Sequence, residues 1–289
     1  MAFEVQDRAG PLAIVAGAGG FPLAVADAVV AAGRPVFIVA LAGVSDPDIG
    51  RFPHCWVGLG QFGHFLGNVV REGCHEVVFV GPVRRPADWR DLAPDFGMIR
   101  RLPRVMRMFK GGDDKLLSGV LRLTEEAGLK VRGVHEVAPR VLLPEGPLGR
   151  HDIDGGLEGD IVIALDLLRT LSPYDIGQGA VVASGRVLAI EAADGTDGML
   201  AHLAELRRNG RLRLRGRQGV LVKAPKRGQD LRVDLPALGP ATVAGVQAAG
   251  LCGIAGPAGR LVVIEGEKVA AAADAAGLFV AGLRSDAAP

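Results

Sequence analysis

Carboxylates and lysines lie close together in the segment KAPKRGQDLRVDLP, which runs from Lys223 to Pro236. Asp234 ends a short extended run just before Leu235 and Pro236, and Lys223 and Lys226 precede it. A carboxylate can hold Mg²⁺ while ammonium groups neutralise phosphate oxygens. The segment therefore indicates metal-assisted phosphoryl chemistry centred on Asp234.

Other carboxylates lie beside glycine-rich loops. Glu191, Asp194 and Asp197 flank the pair Gly195-Thr196, and an acidic pair begins at Asp113. Helix capping or a first-turn position explains Asp113 and Asp197 adequately. These residues do not by themselves define a metal site.

A glycine loop, Gly17-Ala18-Gly19-Gly20, connects an apolar run to a predicted helix. Its backbone N–H groups could hold a phosphate at the helix N-terminus, or the glycines could serve only tight packing. Pro22 occupies the position of the third glycine of a dinucleotide fingerprint, and the segment from Ala40 to Gly43 has no acid for a ribose. The loop therefore argues against NAD.

Charge and composition exclude several classes of protein. The chain has 289 residues with 33 Lys+Arg and 32 Asp+Glu, so a nucleic-acid-coating function is not expected. Three cysteines without a C-x-x-C pattern argue against a disulfide framework or a zinc site. Eight basic residues lie in Arg84–Lys110 and ten in Arg207–Arg232. These stretches predict either a solvated face or contact with an anionic ligand or membrane.

Strands and helices alternate in the first half, which predicts a parallel sheet. Ligands bind at the carboxyl ends of such strands, where Gly17–Gly20, Gly81–Pro86 and the loop after Leu41 should meet. The expected elements are strands over 12–16, 36–41 and 76–80 and helices over 23–32, 62–72 and 113–127.

The second half also predicts an α/β domain. A Pro-, Gly- and charge-rich segment, 143–156, is expected to link an N-terminal domain (1–142) to a C-terminal domain (157–289). Helices are expected over 157–171, 197–206, 240–249 and 267–276, a hairpin over 180–190, and strands over 219–224, 261–264 and 278–280.

Five segments, in order, resemble one enzyme family. They are AGAGGFPLAVADA, GGDDKLL, DIGQGAVVASGRVLAIEAADGTDGML, VLVKAPKRGQDLRVDLPALGP and AAADAAGLFVAGL. Together they are similar to the metal-dependent UDP-2,3-diacylglucosamine pyrophosphatases of lipid A biosynthesis, the type unrelated to calcineurin-like phosphoesterases. The resemblance runs from about Leu12 to Leu283. Arg227, where the family often has proline, and Ala18, in a loop that is often three consecutive glycines, depart from the pattern.

The resemblance implies a Mg²⁺-dependent hydrolase that converts UDP-2,3-diacylglucosamine to UMP and 2,3-diacylglucosamine 1-phosphate. It implies two α/β domains, the first Rossmann-like, joined by a linker with the active site between them. The resemblance places the essential carboxylate at Asp234. From the residue pattern we expect Lys223 to be catalytic as well and the metal ligands to be Asp234 with Glu191 or Asp197. Substrate-binding residues are expected at Gly17, Gly19, Gly20, Gly81, Gln178, Thr196 and Lys226.

The resemblance also implies a cytoplasmic protein that transiently contacts the inner membrane, and a homodimer is a further expectation. Two alternatives stay open. A nucleotide-dependent oxidoreductase would use the first domain, although its fingerprint is incomplete. In a non-catalytic nucleotide-sugar or lipid-binding protein, Asp234 would only cap a strand end.

Overall fold

The computed structural model describes residues 10–83, 94–99, 106, 113–232 and 235–284. Its contacts divide the chain into two compact units, Met1–Ala138 and Pro139–Pro289. Each unit contains a sheet with helices, so the expected α/β class is confirmed. Most of the basic stretch Arg84–Lys110 and the residue Asp234 lie outside the described residues.

The first unit is built on a parallel sheet. Within the described residues this sheet has five strands in the order β3-β2-β1-β4-β5. The strands are β1 (Leu12–Ala16), β2 (Val36–Leu41), β3 (His54–Val57), β4 (Glu76–Val80) and β5 (Lys130–Arg132). The helices are α1 (Phe21–Ala31), α2 (Phe62–Arg71), α3 (Phe96–Ile99), α4 (Asp113–Glu126) and α5 (Val134–Val137).

The apolar runs of the sequence become the centre of this sheet. Every residue of β1 and β2 is buried, as expected for parallel strands covered on both faces. Strand β1 pairs with β2 on one side and with β4 on the other. The order of the strands therefore reverses at β1, and its carboxyl end lies at the crevice where ligands bind in such sheets.

A charge network holds the opposite, amino end of the sheet. Glu76 opens β4 and is 15% exposed; Arg34 Nη1 lies 2.7 Å from its Oε2, and Arg132 Nε lies 2.8 Å from its Oε1. Burial by itself raises the pKa of Glu76, but the hydrogen bond from Arg34 and the charges of Arg34, Arg132 and Lys130 outweigh it, so the pKa is lowered. The network ties the connection between α1 and β2 to β4 and β5.

The second unit contains a mixed sheet. Within the described residues it has six strands in the order β6-β13-β11-β9-β7-β8, and β10 and β12 form a separate parallel pair. The strands are β6 (Gly146–Pro147), β7 (Gly179–Ala183), β8 (Arg186–Ile190), β9 (Val220–Lys223), β10 (Ala237–Leu238), β11 (Gly253–Pro257), β12 (Val262–Val263) and β13 (Phe279–Leu283). The helices are α6 (Glu158–Leu171), α7 (Gly195–Arg208), α8 (Pro240–Ala249) and α9 (Gly266–Ala276).

Alternating side chains of this sheet supply two cores. Val181 and Leu221 face the core that contains α7, α8 and α9. Their neighbours Val182 and Val222 face the core that contains α6. The alternation follows from the two-residue period of a strand and explains why helices cover both faces.

The predicted hairpin forms, and α6 supports its turn. Ser184 and Gly185 have φ values of 51° and 76°, as a two-residue turn of type I′ requires. The buried carboxylate of Asp160 accepts hydrogen bonds from both turn amides, at 2.8 Å from Ser184 N and 2.6 Å from Gly185 N. Helix α6 and the turn are therefore fixed to each other.

The segment 143–156 contains part of the second unit's sheet. Gly146 and Pro147 form the edge strand β6, which pairs with β13. Leu143 N donates to Leu261 O at 2.7 Å, and the Leu143 side chain is buried. Leu143 and β6 are thus fixed by contacts with later parts of the second unit.

We expect Glu76→Gln to lower the free energy of unfolding by about 2 kcal/mol at neutral pH, because it removes the carboxylate charge that accepts the Arg34 hydrogen bond and pairs with Arg132. A lowered carboxyl pKa stabilises the fold above the pKa of the unfolded state, about 4.3, and this stabilisation is lost as pH falls through the folded-state pKa. The difference between the two proteins, measured by urea denaturation, should therefore shrink below that pH. Asp27→Asn, which breaks an exposed pair with Arg51, is the control. Equal stability of Glu76→Gln and wild type at pH 7 would contradict the assignment.

Candidate functional site

The carboxyl ends of β1 and β4 meet through two glycines. Gly17 N donates to Val80 O at 2.7 Å, and Ala18 N donates to Pro82 O at 2.9 Å. A Cβ on Gly17 would lie 2.4 Å from Gly81 O, so no larger residue fits without a shift. The expected meeting of these two strand ends is confirmed, and packing alone is sufficient reason for Gly17.

Gly19 and Gly20 differ from Gly17 because they face open space. Both are exposed, and a Cβ on either would meet nothing within 4 Å. Gly20 is the N-cap of α1, whose first turn contains no acidic residue and whose N-cap makes no side-chain hydrogen bond. Ser45 Oγ donates to Ala16 O at 2.7 Å and accepts from Leu41 N at 2.7 Å, which fixes the adjacent ends of β1 and β2. The backbone at Gly19 and Gly20 is accessible to a ligand.

A buried lysine cluster, formed by Lys223, Thr196 and Glu191, lies in the second unit. The Lys223 side chain is 6% exposed at the end of β9, and its Nζ donates to Thr196 Oγ1 in the first turn of α7 at 2.5 Å. Glu191 follows β8, and its Oε2 lies 3.7 Å from Lys223 Nζ. The structure thus brings together three residues that the sequence separates.

Two glycines make room for Glu191. A Cβ on Gly177 would lie 2.5 Å from Glu191 Cγ, and one on Gly179 would lie 2.5 Å from Glu191 Oε2. Backbone bonds hold the same residue, with Glu191 N donating to Gly179 O at 2.8 Å and Gly177 N donating to Glu191 O at 3.0 Å. The buried Oε2 has no hydrogen-bond partner in the described part of the chain. It therefore opposes the Lys223 charge and could accept one further donor or cation.

The described residues do not complete a metal site. Among them, no three His, Cys, Asp or Glu side chains come together as metal ligands would. Asp197 lies in the first turn of α7 and is exposed, while Asp194 occupies the N-cap position. Because Asp234 lies outside the described residues, the ligand set of Asp234 with Glu191 or Asp197 stays a prediction.

Lys226 makes protein contacts that the sequence did not indicate. Its ammonium forms an ion pair with Asp175, and its backbone N donates to Gln229 Oε1 at 2.9 Å. Gln178 Nε2 donates to the same Gln229 oxygen at 3.3 Å. Asp175 and Gln229 lie in the segments that resemble the family, but their side-chain types alone did not distinguish them from surface residues.

Part of the basic stretch Arg207–Arg232 is structural. The Arg207 guanidinium donates to Ala249 O and Gly250 O at the end of α8, at 3.2 and 2.9 Å, and Arg217 donates to Gly277 O at 3.0 Å, just after α9. Positive groups at helix C-termini are stabilising. Four arginines that are close in sequence, here called the arginine patch, are exposed and have no acidic partner in the described residues: Arg208, Arg211, Arg213 and Arg215.

None of the helices in the described part of the chain has both the length and the apolar character of a membrane-spanning segment.

These features define a protein of two α/β units, with an accessible glycine loop in the first and a buried lysine cluster in the second. Comparison with known proteins identifies the family: residues 11–141 match the LpxI N-terminal domain and residues 144–281 match the LpxI C-terminal domain. The chain therefore belongs to the LpxI family, and the expected resemblance is confirmed.

A curated relative supports the same assignment over both units. The chain is 44% identical over 272 residues to the UDP-2,3-diacylglucosamine pyrophosphatase LpxI of Caulobacter vibrioides (strain ATCC 19089 / CIP 103742 / CB 15). The alignment covers 94% of this chain and 97% of that relative. The similarity thus extends over the glycine loop, the lysine cluster and the position of Asp234.

We expect Gly17→Ala and Gly20→Ala to differ in thermal stability, because only Gly17 is required for packing. Gly17→Ala should destabilise the protein by about 2 kcal/mol, because the new Cβ overlaps Gly81 O. Gly20→Ala, at φ −77° with open space around it, should leave the melting temperature nearly unchanged. Thermal unfolding checks both variants. A Gly17→Ala protein as stable as wild type would refute the close approach of the strand ends.

Proposed function

We propose that this chain hydrolyses the diphosphate bond of UDP-2,3-diacylglucosamine in lipid A biosynthesis. The products are UMP and 2,3-diacylglucosamine 1-phosphate. The observation that carries the proposal is the 44% identity over 94% of the chain to a relative named for this activity. Matches to both domains of the family support it.

Lys223 is the proposed catalytic ammonium. Phosphoryl transfer depends on positioning and on groups that stabilise charge developing on the phosphoryl oxygens. A lysine held at 6% exposure by Thr196 and opposed by Glu191 has lost the mobility and hydration of a surface lysine. Such a preorganised charge suits a reaction that gains negative charge at a fixed position.

The reaction forms one bond and breaks one. The oxygen of a water molecule bonds to the phosphorus on the sugar side, the bond from that phosphorus to the UMP oxygen breaks, and UMP leaves with the electron pair. The water protons pass to solvent or to a nearby base. Asp234 is the residue proposed to position the water or Mg²⁺, as the family resemblance implies.

Mg²⁺ is the proposed cofactor, held by Asp234 with Glu191 or Asp197. The buried Oε2 of Glu191 faces Lys223 at 3.7 Å and accepts no hydrogen bond from the described residues, so it suits a hard cation, which prefers carboxylate oxygens. One such oxygen does not make a site, so the remaining ligands would include Asp234. When bound, Mg²⁺ would neutralise charge on the diphosphate oxygens.

The parallel sheet of the first unit supports the Rossmann-like description, and the accessible loop at Gly19 and Gly20 is the proposed contact for the nucleotide diphosphate. Gly81 and Gln178 remain proposed substrate-binding residues. A cytoplasmic location is proposed, and so is a homodimer, which gel filtration with light scattering would test. These expectations follow from the family rather than from a contact in the structure.

Transient contact with the inner membrane fits the exposed arginine patch, because each basic residue near an anionic bilayer contributes about 1 kcal/mol. Replacing Arg208, Arg211, Arg213 and Arg215 with glutamine should reduce co-sedimentation with vesicles containing anionic phospholipid. Undiminished binding by this variant would remove the patch from the proposal.

The decisive assay follows UMP release from UDP-2,3-diacylglucosamine by the purified protein. We expect turnover with Mg²⁺ and its loss in excess chelator, with recovery when Mg²⁺ is restored. In ¹⁸O-water the label should enter the sugar phosphate, because water attacks that phosphorus. Absence of turnover would refute the function. Turnover that persists in excess chelator would refute only the proposed Mg²⁺ dependence. Incorporation of ¹⁸O into UMP would refute only the proposed attack at the phosphorus on the sugar side.

The lysine cluster makes a second prediction in this assay. Lys223→Met should lower kcat by about 100-fold, and Thr196→Val by about 10-fold, because it removes a hydrogen bond to a charged group. Thr196→Ser, which keeps the hydroxyl, should retain most activity. Thr170→Val, at an exposed position of α6, is the control.

Folding must be checked in the same proteins, since Lys223→Met leaves Glu191 without its opposing charge. Thermal unfolding of each variant separates loss of activity from loss of structure. If folded Thr196→Val and Thr196→Ser lose activity equally, the hydroxyl does not act through Lys223.

A further inference from the structure

The segment before β7 holds the beginning of the loop that follows β9. Ser172–Tyr174 form a short 3-10 turn, and Asp175 then adopts a left-handed conformation with φ 53° and ψ 32°. The loop after β9 contains Lys226, Arg227 and Gln229, and it leads in sequence to Asp234. Neither segment is part of the lysine cluster, yet they contact each other repeatedly.

Side chains and backbone both contribute to these contacts. Besides the ion pair between Asp175 and Lys226, Arg227 N donates to Ser172 Oγ at 3.0 Å. Ala224 N donates to Gln178 O at 3.0 Å, so the loop is also attached where it leaves β9. The loop is thus fixed at residues 224, 226 and 227 by residues 178, 175 and 172, respectively.

A further contact closes the loop on itself. Gln229 Oε1 accepts from Lys226 N at 2.9 Å, and Gln229 N donates to Lys226 O at 3.2 Å. The same Oε1 accepts from Gln178 Nε2 at 3.3 Å. Lys226 is therefore held through its ammonium, its amide and its carbonyl.

The burial of the ion pair distinguishes its two partners. The Lys226 side chain is 17% exposed, whereas that of Asp175 is 57% exposed. A surface carboxylate thus covers an ammonium that lies mostly within the protein. The Asp175 carboxylate contacts the Lys226 ammonium more closely than Glu191 Oε2, at 3.7 Å, approaches Lys223 Nζ, so it cancels more of the charge that a phosphate would meet.

We propose that Asp175 is a positioning residue that acts through Lys226 to fix the loop leading to Asp234. In this role Lys226 serves the reaction through its contact with Asp175, and it does not bind the substrate diphosphate. The inference rests on the proposed function, which gives Asp234 its role. It adds Asp175, a residue to which the sequence alone gives no role.

The left-handed backbone at Asp175 limits the substitutions that can remove its charge without disturbing the turn. Asn and Asp tolerate this conformation better than other residues with side chains. Asp175→Asn therefore removes the charge and preserves the turn. Lys226→Met removes the other charge at similar length, and Lys226→Arg keeps a cation for Asp175.

The test is a double-mutant cycle in the hydrolysis assay, with kcat and KM measured for Asp175→Asn, Lys226→Met and the double variant. Each single variant should lower kcat about 3- to 10-fold with KM within about twofold, and the double variant should be no worse than either, because both break one contact. Lys226→Arg should remain close to wild type. Asp166→Asn, which breaks an exposed pair on α6, is the matched control.

Two results would overturn the inference. A large rise in KM for Lys226→Met with a normal Asp175→Asn would show that Lys226 binds substrate. Normal kinetics in all variants would show that the pair has no role in positioning.

Hydrogen exchange separates failure of this inference from failure of the proposed function. Asp175→Asn should accelerate exchange of the Lys226 and Gln229 amides, and Asp166→Asn should not. If wild type does not hydrolyse the substrate, the proposed function fails, and unchanged exchange in Asp175→Asn then refutes the loop contact independently. If the wild-type protein is active, the double-mutant cycle of Asp175 and Lys226 tests the positioning role.

Discussion

A buried ammonium must be compensated, and much of the second unit's local structure follows from that requirement. Leaving the Lys223 charge unpaired in the interior would be strongly unfavourable. The Thr196 hydroxyl and the Glu191 carboxylate therefore have to be near it. One comes from the first turn of α7 and the other from the end of β8, so the ends of three elements are brought to one point. The same fixed charge is what a phosphoryl-transfer site uses.

Glycine makes these close approaches sterically feasible. Gly177 and Gly179 leave space for the Glu191 side chain, and a Cβ on Gly256 would lie 2.5 Å from Lys223 O. Gly17 has the same function at the strand ends of the first unit. Several of the 42 glycines are therefore required because another backbone segment or a side chain lies too close for a Cβ, in addition to the glycines in turns.

The sequence predicted the elements with strong apolar runs and missed those without them. Strands β1, β2 and β4 have the predicted bounds because β1 and β2 are continuous buried apolar runs and β4 is apolar from Val77 to Val80. Strand β11, with the sequence GIAGP, was not predicted since glycine and proline are rare in strands, although it lies between β9 and β13. Composition also could not show that Arg207 and Arg217 bind helix carbonyls.

Part of the site could be predicted from local sequence, but its pairings could not. Lys223 was identified from its segment, and Glu191 and Thr196 were each singled out for another role. Their contact depends on how β8, β9 and α7 pack, which no local pattern encodes. Asp175 lay unnoticed because an exposed aspartate in a loop is ordinary until its partner is known.

The capped hairpin turn has a mechanical consequence. The Asp160 carboxylate accepts hydrogen bonds from both amides of the turn, those of Ser184 and Gly185, and β8 runs from that turn directly to Glu191. Asp160 therefore connects α6, through the hairpin turn and β8, to the carboxylate beside Lys223. A substitution at Asp160 would therefore act on the buried charges through β8 without altering any residue that touches them.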